Sequence, residues 1–271
     1  MVQVADARAL YTRAFEGRYA MPAFNVCDLE MAQGCVAAAE DERAPILLQT
    51  YPGDLAHGGD ALISLLKTLA RQASVPVALH LDHGQNLEMI ADCLKQDYAS
   101  VMFDGADLGL ERNIVETRRV ADMAHALSAS LEGELGLFGG DHGSVLYTDP
   151  EEAGRYTRES GADTLAVSVG SEHHQQSRLD LERLKTIAER TGHPLVLHGG
   201  SGIHPDDVRE ALTMGVVKIN IGHAISKAMT EGAREGLARD LDHYEMLALM
   251  REKVRAVAAE KIRIMGAANR A

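Results

Sequence analysis

Short apolar runs alternate with longer amphipathic runs along most of this chain. Eight apolar runs lie near residues 20–26, 44–50, 75–81, 100–103, 128–135, 164–169, 195–198 and 216–220. Segments with apolar residues at helical spacing separate them, for example at residues 29–43, 61–73, 87–95, 114–127, 150–160 and 181–190. Strands that alternate with helices predict a parallel sheet covered by helices. Eight such units predict an α/β fold, the (β/α)8 or TIM barrel.

The chain continues well beyond the eighth predicted strand. Two amphipathic runs extend from Ala224 to about Gly266 and are interrupted near residues 240–243. This length exceeds the one helix that would close a barrel, so we expect extra C-terminal helices within a single domain of residues 1–271. The surplus could cover the bottom of the barrel or pack on a second subunit, and both alternatives are open.

Composition indicates a protein with a sizeable core and argues against polyanionic partners. The 271 residues are 46% hydrophobic, which allows a sizeable core. The 27 lysines and arginines against 40 aspartates and glutamates give a formal charge of −13. Nucleic acids and anionic membranes would be repelled by such a surface, so we expect neither as a partner.

Cysteine usage and hydropathy indicate a cytoplasmic protein. Cys27, Cys35 and Cys93 form neither a CxxC pair nor an even set, which favours a reducing compartment. No positively charged segment followed by an apolar run opens the sequence, and no apolar run approaches the roughly 18 residues of a membrane span. We expect ordinary buried thiols.

Polar side chains recur where the predicted strands end. The run that begins at Pro76 ends in Asp82, His83 and Gly84, and side-chain alternation places His80 and Asp82 on one face. The runs near 195–198 and 216–220 end in His198 and Asn220. A parallel barrel gathers these strand ends around one mouth, where such folds carry their active sites.

The predicted lumen is crowded with charge. Strand alternation directs an acidic set and one lysine into it, namely Asp82, Asp104, Glu132, Glu134 and Lys218. Burying them is costly unless they pair or a cation neutralises them. His83, His198 and the pair His173–His174 follow three different strands, so three loops could supply three imidazoles. Three ligands with an open position are typical of a catalytic Zn²⁺, beside which Asp82 would carry a proton.

Glycine-rich segments follow the last two strands. Gly199-Gly200-Ser201-Gly202 and Asn220-Ile221-Gly222 each precede a predicted helix. Backbone N–H groups at such positions bind anions, and barrels often hold a phosphate there. Tight turns would explain either segment alone; together they favour an anion site.

Several motifs in one order resemble the class II, metal-dependent fructose-bisphosphate and tagatose-bisphosphate aldolases over nearly the whole chain. The matching runs are Met21-Pro22-Ala23-Phe24-Asn25-Val26, Leu79-His80-Leu81-Asp82-His83-Gly84, Ser100-Val101-Met102-Phe103-Asp104-Gly105, Glu132-Gly133-Glu134-Leu135-Gly136, residues 195–203 and Lys218-Ile219-Asn220. The resemblance implies a reversible aldolase that cleaves a phosphorylated ketose into dihydroxyacetone phosphate and an aldehyde, and a homodimer or homotetramer.

The resemblance also implies roles for individual residues. His83, His173 and His198 would bind Zn²⁺, Glu134 would bind a displaced metal position, and Asp82 would transfer the proton of the C4 hydroxyl. The expected substrate contacts are Asn25, Asp104, His174, Gly199, Gly200, Ser201, Asn220, Gly222 and His223.

Departures from the family pattern surround the same mouth. His174 stands where the family has a glycine near phosphate and a monovalent cation, so that ion is an open alternative and His174 could replace His173 as the ligand. His223 replaces a threonine, Tyr51 and Ala106 replace serines, and Asp141-His142 replace a glutamate of a mobile loop. We expect a substrate shaped differently from fructose 1,6-bisphosphate, with His142 or Asp141 as the loop base.

Two other functions remain open at this point. Lys218 could form a Schiff base, although an ion pair with Glu132 or Asp104 is the simpler interpretation. A catalytically altered barrel that only binds a sugar phosphate would also fit the departures. Chelator sensitivity without borohydride trapping would favour the metal.

Overall fold

Eight parallel strands close into a barrel in the order of the chain, which confirms the predicted (β/α)8 fold. This computed structural model describes residues 5–137, 146–171 and 176–271. The strands are β1 Met21–Asn25, β2 Ile46–Thr50, β3 Val77–Gly84, β4 Ser100–Phe103, β5 Ser130–Leu135, β6 Thr164–Val167, β7 Leu195–Leu197 and β8 Val216–Ile221. Each pairs with its neighbours in sequence, and β8 pairs with β1. All carboxyl ends therefore meet at one mouth.

The described residues also form ten α-helices. They are α1 Ala7–Gly17, α2 Leu29–Glu42, α3 Pro52–Gln72, α4 Leu87–Lys95, α5 Leu110–Ala126, α6 Pro150–Ser160, α7 Leu181–Thr191, α8 Pro205–Leu212, α9 His223–Ala238 and α10 His243–Ile264. None of these helices has both the length and the apolar composition that crossing a membrane requires.

Helix α3 begins nine residues before its predicted start at residue 61. Pro52 occupies its first turn, and the Asp54 carboxylate accepts a hydrogen bond from the Tyr51 N–H at 3.1 Å. Both features stabilise a helix N-terminus. Gly59 then adopts φ 51° and ψ −147°, which kinks the helix. The apolar spacing predicted only the part after the kink.

Helix α1, which we did not predict, lies at the N-terminal end of the barrel. Asp6 caps it by accepting from the N–H groups of Arg8 and Ala9. The buried Tyr11 hydroxyl lies 3.3 Å from the hydroxyl of Ser100, the first residue of β4. This helix therefore covers the bottom, a position that we had considered for the C-terminal extension.

The extension packs along the outside of the barrel instead. Helix α10 lies against α2 and α9, and Arg255 and Arg263 pair with Asp41 and Glu42 of α2. After α10, the Met265 carbonyl accepts from the N–H of Ala20, just before β1. Packing of the extension on a second subunit stays a prediction.

The α2–α10 contact predicts the effect of one glycine substitution. A Cβ added to Gly34 would lie 2.7 Å from Cγ1 of Val254 and 2.8 Å from the Arg251 carbonyl oxygen, which is backbone. Gly34→Ala should therefore lower the free energy of unfolding by about 1–3 kcal/mol through overpacking. Chemical denaturation of the purified variant measures this.

Gly154 in α6 is the matched control, because a Cβ there would meet its nearest atoms at 3.4 Å. Gly154→Ala should raise the free energy of unfolding by about 0.5–1 kcal/mol, as removal of a glycine from a helix interior does. A stabilising Gly34→Ala would show that the two helices are not packed this closely.

Candidate active site

A local irregularity at the end of β3 brings two successive residues to the same mouth. The strand continues to Gly84, three residues beyond its predicted end, and its register with β4 shifts between Leu81 and Gly84. His83 has φ 51°, a left-handed conformation that is uncommon outside glycine. Regular alternation would point Asp82 and His83 to opposite faces. The irregularity turns both toward one cavity.

His83 is oriented by an acid from the next strand. Its Nδ1 lies 2.9 Å from Oδ2 of Asp104, and its Nε2 lies 4.0 Å from Oδ1 of Asp82. Burial opposes the charged imidazolium, but Asp82 and the hydrogen bond to Asp104 outweigh it and raise the pKa of His83 to about 10. The Nε2 atom is thus the one directed at the cavity.

His198 directly follows β7, and its ring contacts that of His83. The two rings meet edge to face with centroids 4.9 Å apart. Nε2 of His198 lies 2.9 Å from Oε1 of Glu132, and both side chains are fully buried. Burial lowers the pKa of His198 and favours the neutral imidazole. A carboxylate that fixes a histidine in this way is typical of the surroundings of a metal ligand.

Three amide groups hold the Asp82 carboxylate. Asn220 Nδ2 donates to Oδ1 at 2.8 Å, while Asn25 Nδ2 and Gln49 Nε2 donate to Oδ2 at 3.0 and 3.2 Å. Burial opposes ionisation, but neighbouring His83, His198 and Lys218 hold the pKa of this carboxyl below its ordinary range. Asp82 is therefore an oriented, ionised carboxylate.

Lys218 connects these groups inside the lumen. Its Nζ lies 2.9 Å from Oε2 of Glu132 and donates to Oδ1 of Asn220 at 2.6 Å. The lysine and the glutamate are completely buried. The predicted ion pair is thus with Glu132 and not with Asp104. An ammonium group held by two partners in this way does not favour the Schiff-base alternative.

Glu134 points into the same region from β5. Among the described residues, neither of its buried carboxylate oxygens has a hydrogen-bond partner. Burial and then the nearby Asp104 carboxylate raise the pKa of Glu134 well above its ordinary value. A buried acid of this kind needs a proton or a cation.

A cavity of about 450 Å³ lies at the mouth beside these groups. It is lined by Asn25, Cys27, Met31, Tyr51, Asp54, Asp82, His83, Gly199, Ser201, Asn220, Gly222, His223 and Ser226. Ser201 Oγ accepts from the N–H of Ala224 in the first turn of α9, and Lys261 Nζ donates to the Ser201 carbonyl at 3.0 Å. A larger groove of about 760 Å³ at the opposite end, near Phe15 and Gly215, contains none of these groups.

Comparisons with known proteins show the family to which the chain belongs. The family model for class II fructose-bisphosphate aldolase matches residues 5–270. The chain belongs to the class II fructose-bisphosphate aldolase family. The fructose-bisphosphate aldolase of Thermus caldophilus is 34% identical, with 93% of this chain and 95% of that one covered. That of Geobacillus stearothermophilus is 32% identical, with 100% and 99% covered.

A solved structure supports the same assignment. The YdjI aldolase from Escherichia coli K12 superposes with a TM-score of 0.91 at 31% identity, covering 99% of this chain and all of that chain. The protein is therefore an aldolase, a carbon–carbon lyase, of a family that is metal-dependent.

The side chains of this aldolase suit a metal ion. One ligand atom each from Asp82, His83 and His198 lies within 4.8 Å of the others, and the same holds for His83, Asp104 and Glu134. The two groups share His83. Nitrogen and carboxylate oxygen donors of this kind suit Zn²⁺ and other first-row metals. Two of the predicted imidazoles are thus brought together.

The other predicted site residues divide into those that the structure does not describe and those that can be compared with the cavity. His173, His174, Asp141 and His142 lie outside the described residues, so their roles in the aldolase stay predictions. The cavity contains six of the predicted substrate contacts: Asn25, Gly199, Ser201, Asn220, Gly222 and His223. Two other contacts do not line it.

Gly200 and Asp104 are the two predicted substrate contacts that do not line the cavity, and the positions of both explain why. The Gly200 N–H donates to the Asn220 carbonyl, and a Cβ on Gly200 would lie 2.2 Å from Cγ2 of Ile219. Gly200 is therefore needed for close packing against β8. Asp104 contacts His83. Neither residue lines the cavity, and their roles as substrate contacts stay predictions.

Sequence reasoning missed Gln49 and Asp54. Gln49 directly follows the apolar stretch Ile46-Leu47-Leu48 in β2, where it is completely buried and donates to Asp82. A polar residue in a run predicted to be buried on both faces was the available signal. Asp54 lay in a segment that we did not predict to be helical.

Proposed function

We propose that this aldolase uses Zn²⁺ to cleave a phosphorylated ketose reversibly into dihydroxyacetone phosphate and an aldehyde. The observation that carries the proposal is the convergence of His83 and His198 on the Asp82 carboxylate, each held by its own acid. In this proposal His83, His198 and His173 bind the ion, with His174 as the neighbour able to substitute. Glu134 provides a displaced metal position.

The chemistry is divided between the ion and the protein. When bound, Zn²⁺ supplies a Lewis acid that polarises the ketose carbonyl. Asp82 accepts the proton of the C4 hydroxyl while the C3–C4 bond breaks, so that C4 becomes the aldehyde carbon. The electron pair of the broken bond remains with the ketose-derived fragment. In the reverse direction Asp82 returns the same proton.

The amide donors around Asp82 fix the direction of this transfer. Asn220 engages Oδ1, and Asn25 engages Oδ2, so the carboxylate cannot rotate away from the cavity. Such positioning lowers the barrier because the reacting groups are held in place before reaction. The same hydrogen bonds stabilise the ionised form that must accept the proton.

The phosphate of the dihydroxyacetone phosphate part is proposed to lie at the N-terminus of α9. Gly199, Ser201, Asn220 and Gly222 line the cavity at this end. Helix N-termini provide backbone N–H donors and a favourable dipole for anions. This offsets the repulsion expected from the net charge of −13.

Separate substitutions of Asp82 and Asp104 test the assignment. Asp104→Asn removes the charge that orients His83 and should weaken Zn²⁺ binding about 10–100-fold. Asp82→Asn should leave the zinc affinity within a few-fold but lower kcat for aldol cleavage about 10²–10⁴-fold. Competition with a chromogenic chelator measures the affinity, and stopped or continuous assays with excess Zn²⁺ measure kcat.

The control is wild-type protein stripped of metal, which should lose cleavage and regain it with Zn²⁺, without an adduct after borohydride treatment. An Asp82→Asn protein that loses zinc as strongly as Asp104→Asn would make Asp82 a ligand instead of the proton carrier. Full cleavage activity without metal would contradict the proposal that the reaction depends on Zn²⁺.

We also propose that His142 or Asp141 acts as the base that removes a proton from dihydroxyacetone phosphate. In sequence they follow β5, where the family resemblance places an acidic residue. His142→Ala or Asp141→Asn should slow solvent hydrogen exchange into dihydroxyacetone phosphate at least about tenfold, as removal of a general base does. Exchange followed by NMR measures this. Unchanged exchange in both variants would contradict the proposed role of these two residues as the base.

A further inference from the structure

The two ends of the cavity differ in charge. At the β7–β8 end, the N-terminus of α9 and the Lys261 ammonium, which donates to the Ser201 carbonyl, provide positive potential. At the β2–β3 end, Tyr51 and Asp54 form the wall. Asp82 lies between them, bonded to Asn220 on β8 and to Gln49 on β2. A substrate with its phosphate at α9 and its C4 hydroxyl at Asp82 therefore extends toward Tyr51 and Asp54.

Asp54 is an unusual residue for a site that would bind a second phosphate. The residue is only 8% exposed, yet it lines the cavity. Burial raises the pKa of Asp54 to about 6, against the lowering effect of the Tyr51 N–H. The group is thus a carboxylate at neutral pH. A carboxylate repels a phosphate dianion but accepts hydrogen bonds from hydroxyl groups.

Among the residues that the structure describes, this wall offers a second phosphate no lysine or arginine side chain. None of the described residues that line the cavity is a lysine or an arginine. Residues 1–4, 138–145 and 172–175, which complete the chain, contain neither in their sequence. Tyr51, a residue that is 47% exposed, instead offers an aromatic ring with a hydroxyl, as carbohydrate-binding surfaces do.

We propose that the aldehyde end of the substrate carries free hydroxyl groups and no phosphate, so that the substrate is a ketose 1-phosphate. Asp54 accepts hydrogen bonds from these hydroxyls, and Tyr51 packs against the carbon chain. This inference rests on the proposed function, because the orientation of the substrate follows from it. It explains why Tyr51 stands where the family has a serine.

Aldol condensation isolates the aldehyde end, since the other reactant stays the same. Zinc-loaded enzyme is assayed with dihydroxyacetone phosphate and either glyceraldehyde or glyceraldehyde 3-phosphate, both as D and L forms. The kcat/KM for the better glyceraldehyde form should exceed that for the better phosphorylated form at least about tenfold, because of charge repulsion in a partly dry site.

Asp54→Asn tests the cause of this preference. Asparagine retains an oxygen that accepts from the Tyr51 N–H, as Asp54 does at 3.1 Å, but removes the charge. The ratio of the two kcat/KM values should shift toward the phosphorylated aldehyde about tenfold. Asp54→Ser is a second uncharged variant, and thermal unfolding with zinc titration verifies that each variant is folded and loaded.

Glu245→Gln is the matched control. Glu245 occupies the equivalent first-turn position of α10, where it accepts from the Asp242 N–H, also at 3.1 Å, away from the cavity. This variant removes the same charge from the same kind of cap, and the ratio should stay within twofold of wild type.

The outcomes separate this inference from the proposed function. Zinc-dependent hydrogen exchange into dihydroxyacetone phosphate tests the proposed function without any aldehyde. If exchange occurs but glyceraldehyde 3-phosphate is preferred tenfold, or if neither Asp54 variant shifts the ratio, the inference is overturned and the aldolase assignment stands. If exchange and condensation both fail, the proposed function fails and the inference with it.

Discussion

The Glu132 carboxylate, enclosed in the lumen without access to solvent, is the group on which the rest of the site depends. Burial alone would keep it protonated, but Lys218 and the hydrogen bond from His198 lower its pKa to about 2. A buried charge is tolerated only when its partners satisfy it. Because Lys218 lies on β8 and His198 directly follows β7, the partners of Glu132 are in place only when these strands are assembled in the barrel.

Three series of contacts connect Glu132 with the rest of the site. One runs through His198 to His83 and the cluster that suits a metal. A second runs through Lys218 and Asn220 to Asp82, which needs a fixed orientation to move a proton. A third passes His80, whose Nε2 lies 3.8 Å from Oε2 of Glu132 and whose Nδ1 lies 2.8 Å from the Ser100 hydroxyl. The Ser100 hydroxyl in turn lies 3.3 Å from that of Tyr11 in α1. The metal site and the proton carrier are thus connected through Glu132, and the hydrogen bonds that lead to the bottom helix begin at His80 beside it.

Much of this arrangement was predictable because strand alternation and parallel topology are strong constraints. Polar residues at the ends of apolar runs had to meet at the barrel mouth, and Asp82, His198 and Asn220 do so. The orientation of the His83 side chain toward the cavity was not predictable. It depends on a register shift between β3 and β4, which no local sequence pattern indicates. We overlooked helix α1 although Ala7, Leu10, Tyr11 and Ala14 follow the i, i+3, i+4, i+7 spacing of a buried helix face. The first part of α3 was missed for a different reason, because it begins at a capped turn with Pro52 and Asp54 and has little apolar spacing.

The most direct test of this account is a double-mutant cycle on Lys218 and Glu132, with the free energy of unfolding as the readout. Lys218→Met or Glu132→Gln alone leaves its buried partner without compensation and should cost about 3–5 kcal/mol. The double variant should cost clearly less than the sum of the two, and the exposed pair Lys227–Glu231 should show coupling close to zero. Additive losses at Lys218 and Glu132 would contradict the claim that this pair holds the site together.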